Sequence, residues 1–344
     1  MWRWAVALML GGAVAPALAE IQGAGATFPS KVYERWAQTF QKSHAIGVRY
    51  RPTGSGDGVR QITDRAVQFG GTDSPLPPAE LAKRQLVQIP MLVGGVVPVV
   101  NLPGIENGRL RLDGELLADL MAGRVAKWND ARIAALNRGL TLPALPVRRV
   151  VRAEKSGTTE GFARYLSQVS APFKSEVGVS QLPAWPGEVM RADGNDGVSK
   201  SVKATPGAIG YVSFDRVVQD GLAGVRLRNA AGEYVVASEE GFRAAVVESD
   251  VNQKGDDLAS ILDRPGVRAW PITLASFVLV DAAPAKAGDT SSALRFLYWC
   301  FVHGDALTRG TGFAPLPTTV QSKLASRFAS VKAGDGKPMD YVGM

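Results

Sequence analysis

Strand patterns and helix patterns follow each other in short blocks along residues 21–84. Each strand pattern runs into a turn rich in glycine, serine, threonine or proline, and a helix pattern follows the turn. In chain order the elements are a strand from Ile21, a helix with apolar residues at 32, 33, 36, 37 and 40, a strand at 47–51, a helix at 59–64, a strand at 67–71 and a helix at 78–84. This alternation is typical of an α/β domain with a parallel sheet.

Two longer apolar stretches, 87–101 and 269–280, are rich in β-branched residues. Each suits a strand that leaves one lobe and enters another, so the helix patterns at the C-terminal end return to the first lobe. We therefore predict a first lobe of 20–97 with 274–344 and a second lobe of 98–273, joined by a two-strand hinge. Clefts between lobes connected in this way open and close around ligands.

The second predicted lobe mixes helices with fewer strands. Its elements are helices at 113–122, 130–136, 161–169, 198–204 and 238–247, strands at 145–151 and within 206–214, and a small hairpin at 225–236. Because a strand at 145–151 precedes a helix at 161–169, the segment between them lies where a strand turns into a helix.

That segment, Arg152-Ala-Glu-Lys-Ser-Gly-Thr-Thr159, has the groups that hold an oxyanion. The first N–H groups of a helix have no intrahelical partner, and Gly157 lets an anion approach them closely. The Ser156 and Thr158 hydroxyls can cap the helix or donate to the same ligand. Arg152 can offer a planar fork to two oxygens, and Glu154 can orient that guanidinium or accept a proton. Taken alone, the segment also suits a capped helix beside a surface ion pair.

Residues with hydrogen-bonding groups also follow the first three predicted strands. Thr27 and the backbone N–H of Phe28 follow the first strand, Ser55 the second and Asp73 the third. Open α/β sheets bind their ligands at the carboxyl ends of the strands. One such junction is often only a turn, but several of them on one sheet would converge on the same edge. The pattern therefore predicts an anion site built from both lobes.

Residues 1–19 have the features of a secretory signal: Arg3, an apolar core, and Ala17-Leu-Ala19 as a cleavage site. No cysteine lies near residue 19, so we expect a free periplasmic protein without a lipid anchor. Removal of this segment, which contains one arginine and no acid, changes the formal charge from +7 to +6. The basic residues are spread along the chain, so nucleic-acid binding is not expected.

Cysteine and histidine are scarce, which limits the chemistry available. Cys300 is the single cysteine of the sequence and lies among apolar residues, so we expect an inert core thiol. His44 and His303 are the two histidines, and neither lies in a motif that would give a serine its base. No cluster with recognisable metal-ligand spacing is present, so neither a metal nor a cofactor is predicted.

Six separated motifs resemble, in order and spacing, the PstS-type periplasmic phosphate-binding proteins of ABC importers. These motifs are Gly23–Pro29, Gly54–Gly58, Phe69–Leu76, Arg152–Thr159, Gly194–Gly197 and Pro206–Tyr211. The resemblance covers residues 21–328. It implies a two-lobed type II periplasmic-binding-protein fold, inorganic phosphate as the ligand, membrane permease subunits as partners, and a monomer without enzymatic activity.

The resemblance also assigns the ligand-binding residues by position. They are Thr27, Phe28 through its backbone N–H, Ser55 and Asp73 from one lobe, and Arg152, Glu154, Ser156, Gly157 and Thr158 from the other. The chain departs from the family twice. Glu154 stands where an aspartate is usual, and Asp57 stands where a small residue is usual.

Asp73 is the residue of this set that selects the ligand. A carboxylate repels an anion unless that anion brings a proton to donate to it. Monohydrogen phosphate has such a proton and sulfate does not, so Asp73 favours phosphate. If this assignment is wrong, the simplest role of Asp73 is an Asx-turn before Pro75.

Three other functions remain open from the sequence. A binding protein for another tetrahedral oxyanion, such as sulfate, arsenate or a phosphonate, would use the same donors. A hydrolase would use Ser156 as its nucleophile, although the sequence offers it no positioned base. A protein that keeps the fold but serves only in protein–protein interaction would have a cleft that is filled or holds no ligand.

Overall fold

The computed structural model describes residues 20–256, 258–285 and 287–342. The predicted signal at 1–19 lies outside the described residues. The strands are β1 (Ile21–Gly25), β2 (Val48–Pro52), β3 (Phe69–Thr72), β4 (Leu86–Val100), β5 (Arg111–Leu112), β6 (Arg148–Arg152), β7 (Met190–Ala192), β8 (Ala208–Ser213), β9 (Ala223–Gly224), β10 (Arg226–Arg228), β11 (Tyr234–Val235), β12 (Thr273–Asp281) and β13 (Phe313–Pro315). The helices are α1 (Ser30–His44), α2 (Ser55–Thr63), α3 (Pro78–Arg84), α4 (Gly114–Ala122), α5 (Ala131–Leu136), α6 (Gly157–Val169), α7 (Ala171–Glu176), α8 (Gly194–Ala204), α9 (Phe214–Asp220), α10 (Glu239–Val247), α11 (Asp250–Gln253), α12 (Ala287–His303), α13 (Asp305–Thr308) and α14 (Thr318–Ser330).

One large sheet organises the fold, with strand order β2-β1-β3-β12-β4-β8-β6-β7. Strand β4 is a long central strand that pairs with a different neighbour along each part of its length. Its residues 86–95 pair antiparallel with β12, and its residues 96–100 pair antiparallel with β8. The two apolar stretches of the sequence are therefore adjacent strands at the centre of the sheet.

The strands beside this central pair form two parallel groups. We call β2, β1 and β3 the first half of the sheet, and β8, β6 and β7 the second half. Within each half the pairs that the structure describes are parallel. Since parallel strands end at the same edge, the segments that follow β1, β2 and β3 are brought together, and the segment after β6 faces them across the cleft.

Helical periodicity predicted the packing of the first helix. The apolar positions expected to face the core, including Val32, Trp36 and Phe40, are all buried in α1. Helix α4 starts after Asp113, whose carboxylate accepts the Leu116 N–H at 2.9 Å, as an N-cap should. Cys300 is buried, and burial raises the pKa of its thiol, in agreement with the predicted inert thiol. None of the helices in the described ranges combines the length and apolarity needed to cross a membrane.

Three helices begin earlier than predicted. Helix α2 starts at Ser55 rather than at 59, α6 at Gly157 rather than at 161, and α8 at Gly194 rather than at 198. Their first turns consist of small and polar residues, so hydrophobic periodicity does not mark them. In α2 the first turn packs directly on the sheet: a Cβ on Gly58 would lie 2.6 Å from Gly25 Cα and 2.6 Å from the Gly71 carbonyl oxygen. Small residues are needed there for packing, which hides the start of the helix from sequence analysis.

Candidate anion-binding site

The residues predicted from both lobes lie around one cleft. Thr27, Ser55 and Asp73 come from the segments that follow β1, β2 and β3, and Arg152 is the last residue of β6. The Arg152 Nη2 donates to Thr27 Oγ1 at 2.8 Å, and the Thr158 hydroxyl donates to Asp73 Oδ2 at 3.4 Å. These contacts join the two halves of the sheet directly.

Arg152 is the central cation of the cleft, and its side chain is only 1% exposed. Its Nε donates to Glu154 Oε1 at 2.8 Å, and its Nη2 also contacts this carboxylate. Among the described residues, its Nη1 has no hydrogen-bond partner. A buried guanidinium donor without an acceptor is costly, so this geometry indicates a place for an external oxygen acceptor.

Glu154 holds the arginine in place despite being longer than the aspartate usual in the family. Its carboxylate also accepts the Gly194 backbone N–H at 3.2 Å, which fixes it to the start of α8. Its oxygens are thus used by the protein itself. We interpret Glu154 as a residue that orients Arg152 and partly neutralises it.

Asp73 is the acid of the cleft, and it is 5% exposed. Its Oδ1 accepts the Ser276 hydroxyl at 2.8 Å, and its backbone N–H donates to Ser55 Oγ at 3.2 Å. Burial raises the pKa of Asp73 to about 7, while the hydroxyl of Ser276 and the charge of Arg152 act in the opposite direction. Near neutral pH, Asp73 can therefore be either an ionised acceptor or a protonated donor.

The start of α6 faces this acid. Ser156 is the N-cap, and its Oγ accepts the Thr159 N–H at 3.1 Å. Gly157 sits so close to the first half that a Cβ there would lie 2.6 Å from Ser55 Oγ and 3.0 Å from Asp73 Cβ. The first turn of α6 thus lies next to the acid and the arginine, and the N-terminus of a helix is suited to an anion.

Phe28 and Asp57 are placed by contacts outside this hydrogen-bond network. The Phe28 ring is buried and packs edge-on against Phe313, with the ring centroids 5.0 Å apart. This anchors the segment that carries Thr27.

The Asp57 carboxylate accepts hydrogen bonds from Arg60 and Gln61 in its own helix, so the Arg60 charge compensates that of Asp57.

Three residues of the network were not among the predicted site residues. Ser276 lies in the apolar stretch that forms β12, and the strand register shifts between Ser276 and Phe277. Such irregularities re-aim side chains. Asn195 donates from Nδ2 to Thr27 Oγ1 at 2.9 Å, and Tyr211 OH is 2.7 Å from Thr159 Oγ1. Asn195 and Tyr211 lie inside two of the six motifs. The available signal for Ser276 was a hydroxyl residue in a mostly apolar strand, which also contains Thr273.

The two histidines, which could serve a hydrolase as a base, pack on aromatic rings instead of on Ser156. His44 stacks on Phe40, with centroids 4.2 Å apart, and His303 lies against Trp299. Within residues 20–256, 258–285 and 287–342, no group of three or more histidine, cysteine, aspartate or glutamate residues is arranged to hold a metal ion.

Comparisons with known proteins agree with this architecture. The PBP superfamily domain matches residues 11–302. The phosphate-binding protein PstS of Xylella fastidiosa is 39% identical over 311 residues, which is 90% of this chain and 85% of that protein. The PstS of Pasteurella multocida is 38% identical over 320 residues, 93% of each protein.

Solved structures share the fold at lower sequence identity. A phosphate-binding protein from Stenotrophomonas maltophilia has a TM-score of 0.70 at 19% identity, covering 90% of this chain and 93% of that one. A high-affinity periplasmic phosphate-binding protein, solved with phosphate bound at pH 8.5, has a TM-score of 0.68 at 23% identity, with the same coverage. With its two-lobed α/β fold and its close relatives, the chain belongs to the PstS family of phosphate-binding proteins within the PBP superfamily.

Proposed function

We propose that this protein binds inorganic phosphate between its two lobes and delivers it to an ABC importer. The observation that carries this proposal is the pairing of a buried arginine whose Nη1 has no partner among the described residues with a buried acid across the same cleft. The names of the relatives, which are phosphate-binding proteins, support the choice of ligand.

The donors of the cleft match the needs of a dehydrated phosphate. A dianion is tolerated away from water only if its oxygens receive hydrogen bonds, and charged donors contribute most. We assign this task to Arg152 Nη1, the hydroxyls of Thr27, Ser55 and Ser156, and backbone N–H groups. The N–H groups are those of Phe28 and of the first turn of α6 at Gly157 and Thr158. The Ser156 N–H already donates to the Gln181 carbonyl at 3.0 Å, and Glu154 orients the guanidinium.

Asp73 provides selectivity for a protonated oxyanion. In its ionised form it accepts the proton that monohydrogen phosphate still carries, whereas sulfate would place oxygen lone pairs against a carboxylate. Arsenate shares the protonation of phosphate and is expected to compete. Sulfate is expected to bind far more weakly.

Closure of the lobes follows from ligand contacts on both sides. We divide the protein into 20–97 with 274–344 and 98–273, hinged at β4 and β12. A phosphate that contacts both lobes stabilises the closed form over the open one, and this differential affinity shifts the equilibrium. The closed form is then the signal that permease subunits read.

The site is one for binding and release rather than for catalysis, and its place is the periplasm. Relatives of this chain are binding proteins, and both histidines pack on aromatic rings of α1 and α12. We infer export of a free monomer by the segment 1–19, with the permease of the importer as its partner.

Calorimetry on the purified protein, first stripped of ligand, tests the proposal. Phosphate should bind tightly with one site per chain, and sulfate at least 100-fold more weakly. Asp73→Asn should narrow this ratio by at least tenfold, because an amide can donate to sulfate. Asp64→Asn, which changes an exposed carboxylate at the C-terminal end of α2, is the matched control and should leave the ratio unchanged.

Three results would overturn the proposal. These are an absence of phosphate binding, an unchanged ratio in Asp73→Asn, and hydrolysis of a generic phosphate ester that depends on Ser156. The last result would favour the hydrolase. A preference for sulfate would instead favour another oxyanion as the ligand.

A further inference from the structure

We propose a second anion-binding site, separate from the phosphate cleft, for a small anion that carries two or three phosphoryl groups. It is a cavity of about 300 Å³ in the second lobe, and none of its lining residues belongs to the cleft described above. Four arginines line it: Arg109, Arg111, Arg138 and Arg226.

The sheet places two of these arginines side by side. Strands β5 and β10 are parallel, and their register pairs Arg111 with Arg226. Like charges directly opposite each other on neighbouring strands are destabilising. This repulsion lowers the folding stability of the two short strands. Local destabilisation of this kind is expected at functional sites.

Among the described residues that line the cavity, none carries a carboxylate. The other residues that line the cavity are Gly108, Leu136, Asn137, Gly139 and Leu140. None of the four arginines belongs to an ion pair with another described residue. Arg226 donates from Nε to the Gly108 carbonyl at 2.8 Å, and the Arg111 guanidinium lies over the Tyr234 ring at 5.5 Å. These contacts orient the guanidinium groups and leave their charge in place.

The frame around the arginines is fixed before any ligand arrives. Asn137 is buried, its Oδ1 accepts the Arg111 N–H at 2.8 Å, and its Nδ2 donates to the Arg111 carbonyl at 2.9 Å. The Gly108 N–H donates to the Gly224 carbonyl at 2.8 Å. A preorganised frame reduces the entropy that binding would otherwise cost.

The chemistry of the cavity selects the ligand class. Guanidinium groups match phosphoryl oxygens with pairs of parallel hydrogen bonds, and four such groups supply more positive charge than one orthophosphate can neutralise. Inorganic pyrophosphate and tripolyphosphate carry several phosphoryl groups within a few ångströms. The headgroup of cardiolipin, which carries two phosphodiester groups, offers the same chemistry from a membrane surface.

Calorimetry with pyrophosphate and tripolyphosphate, in saturating orthophosphate so that the cleft is occupied, tests the site. The test variant is Arg109→Ala with Arg138→Ala, because neither side chain makes a described hydrogen bond on which folding would depend. It should weaken binding at least tenfold. The matched control, Arg35→Ala with Arg49→Ala, removes two exposed arginines elsewhere and should weaken it less than threefold. Equal losses in the two double variants would overturn the site.

Thermal unfolding and vesicle binding complete the test. Arg111→Gln removes one guanidinium from the cavity, so pyrophosphate should raise the melting temperature of this variant less than that of the wild type. Sedimentation with vesicles that contain cardiolipin, lost in the Arg109/Arg138 variant, would identify a headgroup as the source. Failure to bind the soluble polyphosphates and the vesicles would overturn the proposal, while the phosphate cleft would remain intact.

Discussion

Ser276 donates a 2.8 Å hydrogen bond to Asp73 Oδ1, which links the hinge strand β12 to the end of β3. The two strands are antiparallel neighbours, and the register shift after Ser276 lies next to this bond. The hinge therefore contacts the acid that we assign to ligand selection. This bond stabilises the ionised form of Asp73 against the effect of burial.

Ser276→Ala should weaken phosphate binding near neutral pH. Without the hydroxyl the pKa of Asp73 rises further, so a larger fraction of the protein has a protonated acid that cannot accept the phosphate proton. A hydrogen bond to a charged group contributes about 1.5 kcal/mol, so we expect a loss of roughly tenfold. Phosphate and sulfate affinities should be measured across pH. The preference for phosphate should begin at a higher pH in Ser276→Ala than in the wild type. Ser322→Ala, in an exposed position, is the control, and an unshifted profile would contradict the assignment.

The same acid should make the stability of the unliganded protein depend on pH. The folded pKa of Asp73 is about 7 against an ordinary 3.8, so the folded state binds the proton more tightly than the unfolded chain does. Its contribution is fully present below pH 3.8 and is lost as pH rises through about 7. The gap corresponds to roughly 4 kcal/mol of the free energy of unfolding.

Denaturant unfolding in phosphate-free buffer, from pH 4 to pH 8, measures this dependence. Asp73→Asn has no proton to lose, so its stability should fall less than that of the wild type over this range. Parallel curves for the two proteins would show that Asp73 is not the titrating group.

The sequence predicted much of the fold, and the strand ends that bring the candidate site residues together, because those signals are local. Periodicity identified α1 and α3, and turn residues marked the strand ends that bring Thr27, Ser55 and Asp73 to one edge. The starts of α2 and α6 did not follow, since their small residues are selected by contacts across the sheet. Ser276 and the pairing of Arg111 with Arg226 depend on strand register, which no single stretch of sequence specifies.

Arg152→Ala should abolish tight phosphate binding. The variant removes the only cation that we assign to the ligand and leaves Glu154 without its partner, so a negative charge replaces a balanced pair. Loss of one member of a buried charge pair costs about 3 kcal/mol or more, which corresponds to at least 100-fold in the dissociation constant. Arg35→Ala, which removes an exposed arginine, is the control. Calorimetry that gave near-native affinity for Arg152→Ala would contradict the site.

Gly157→Ala should block closure without harming the helix. Its Cβ would lie 2.6 Å from Ser55 Oγ and 3.0 Å from Asp73 Cβ, so the two halves of the sheet would have to separate. Gly197 in α8 is a matched control, because a Cβ there meets no atom closer than 3.5 Å and alanine favours a helix.

We expect Gly157→Ala to weaken phosphate binding at least tenfold and Gly197→Ala to preserve it, with both variants folded by circular dichroism. Small-angle scattering adds a readout that loss of a hydrogen bond alone would not change. Wild type and Gly197→Ala should compact on adding phosphate, whereas Gly157→Ala should remain expanded at saturating ligand. If Gly157→Ala compacts as the wild type does, the contact between α6 and the first half of the sheet is not what closure requires, and the bridging geometry proposed for phosphate is wrong.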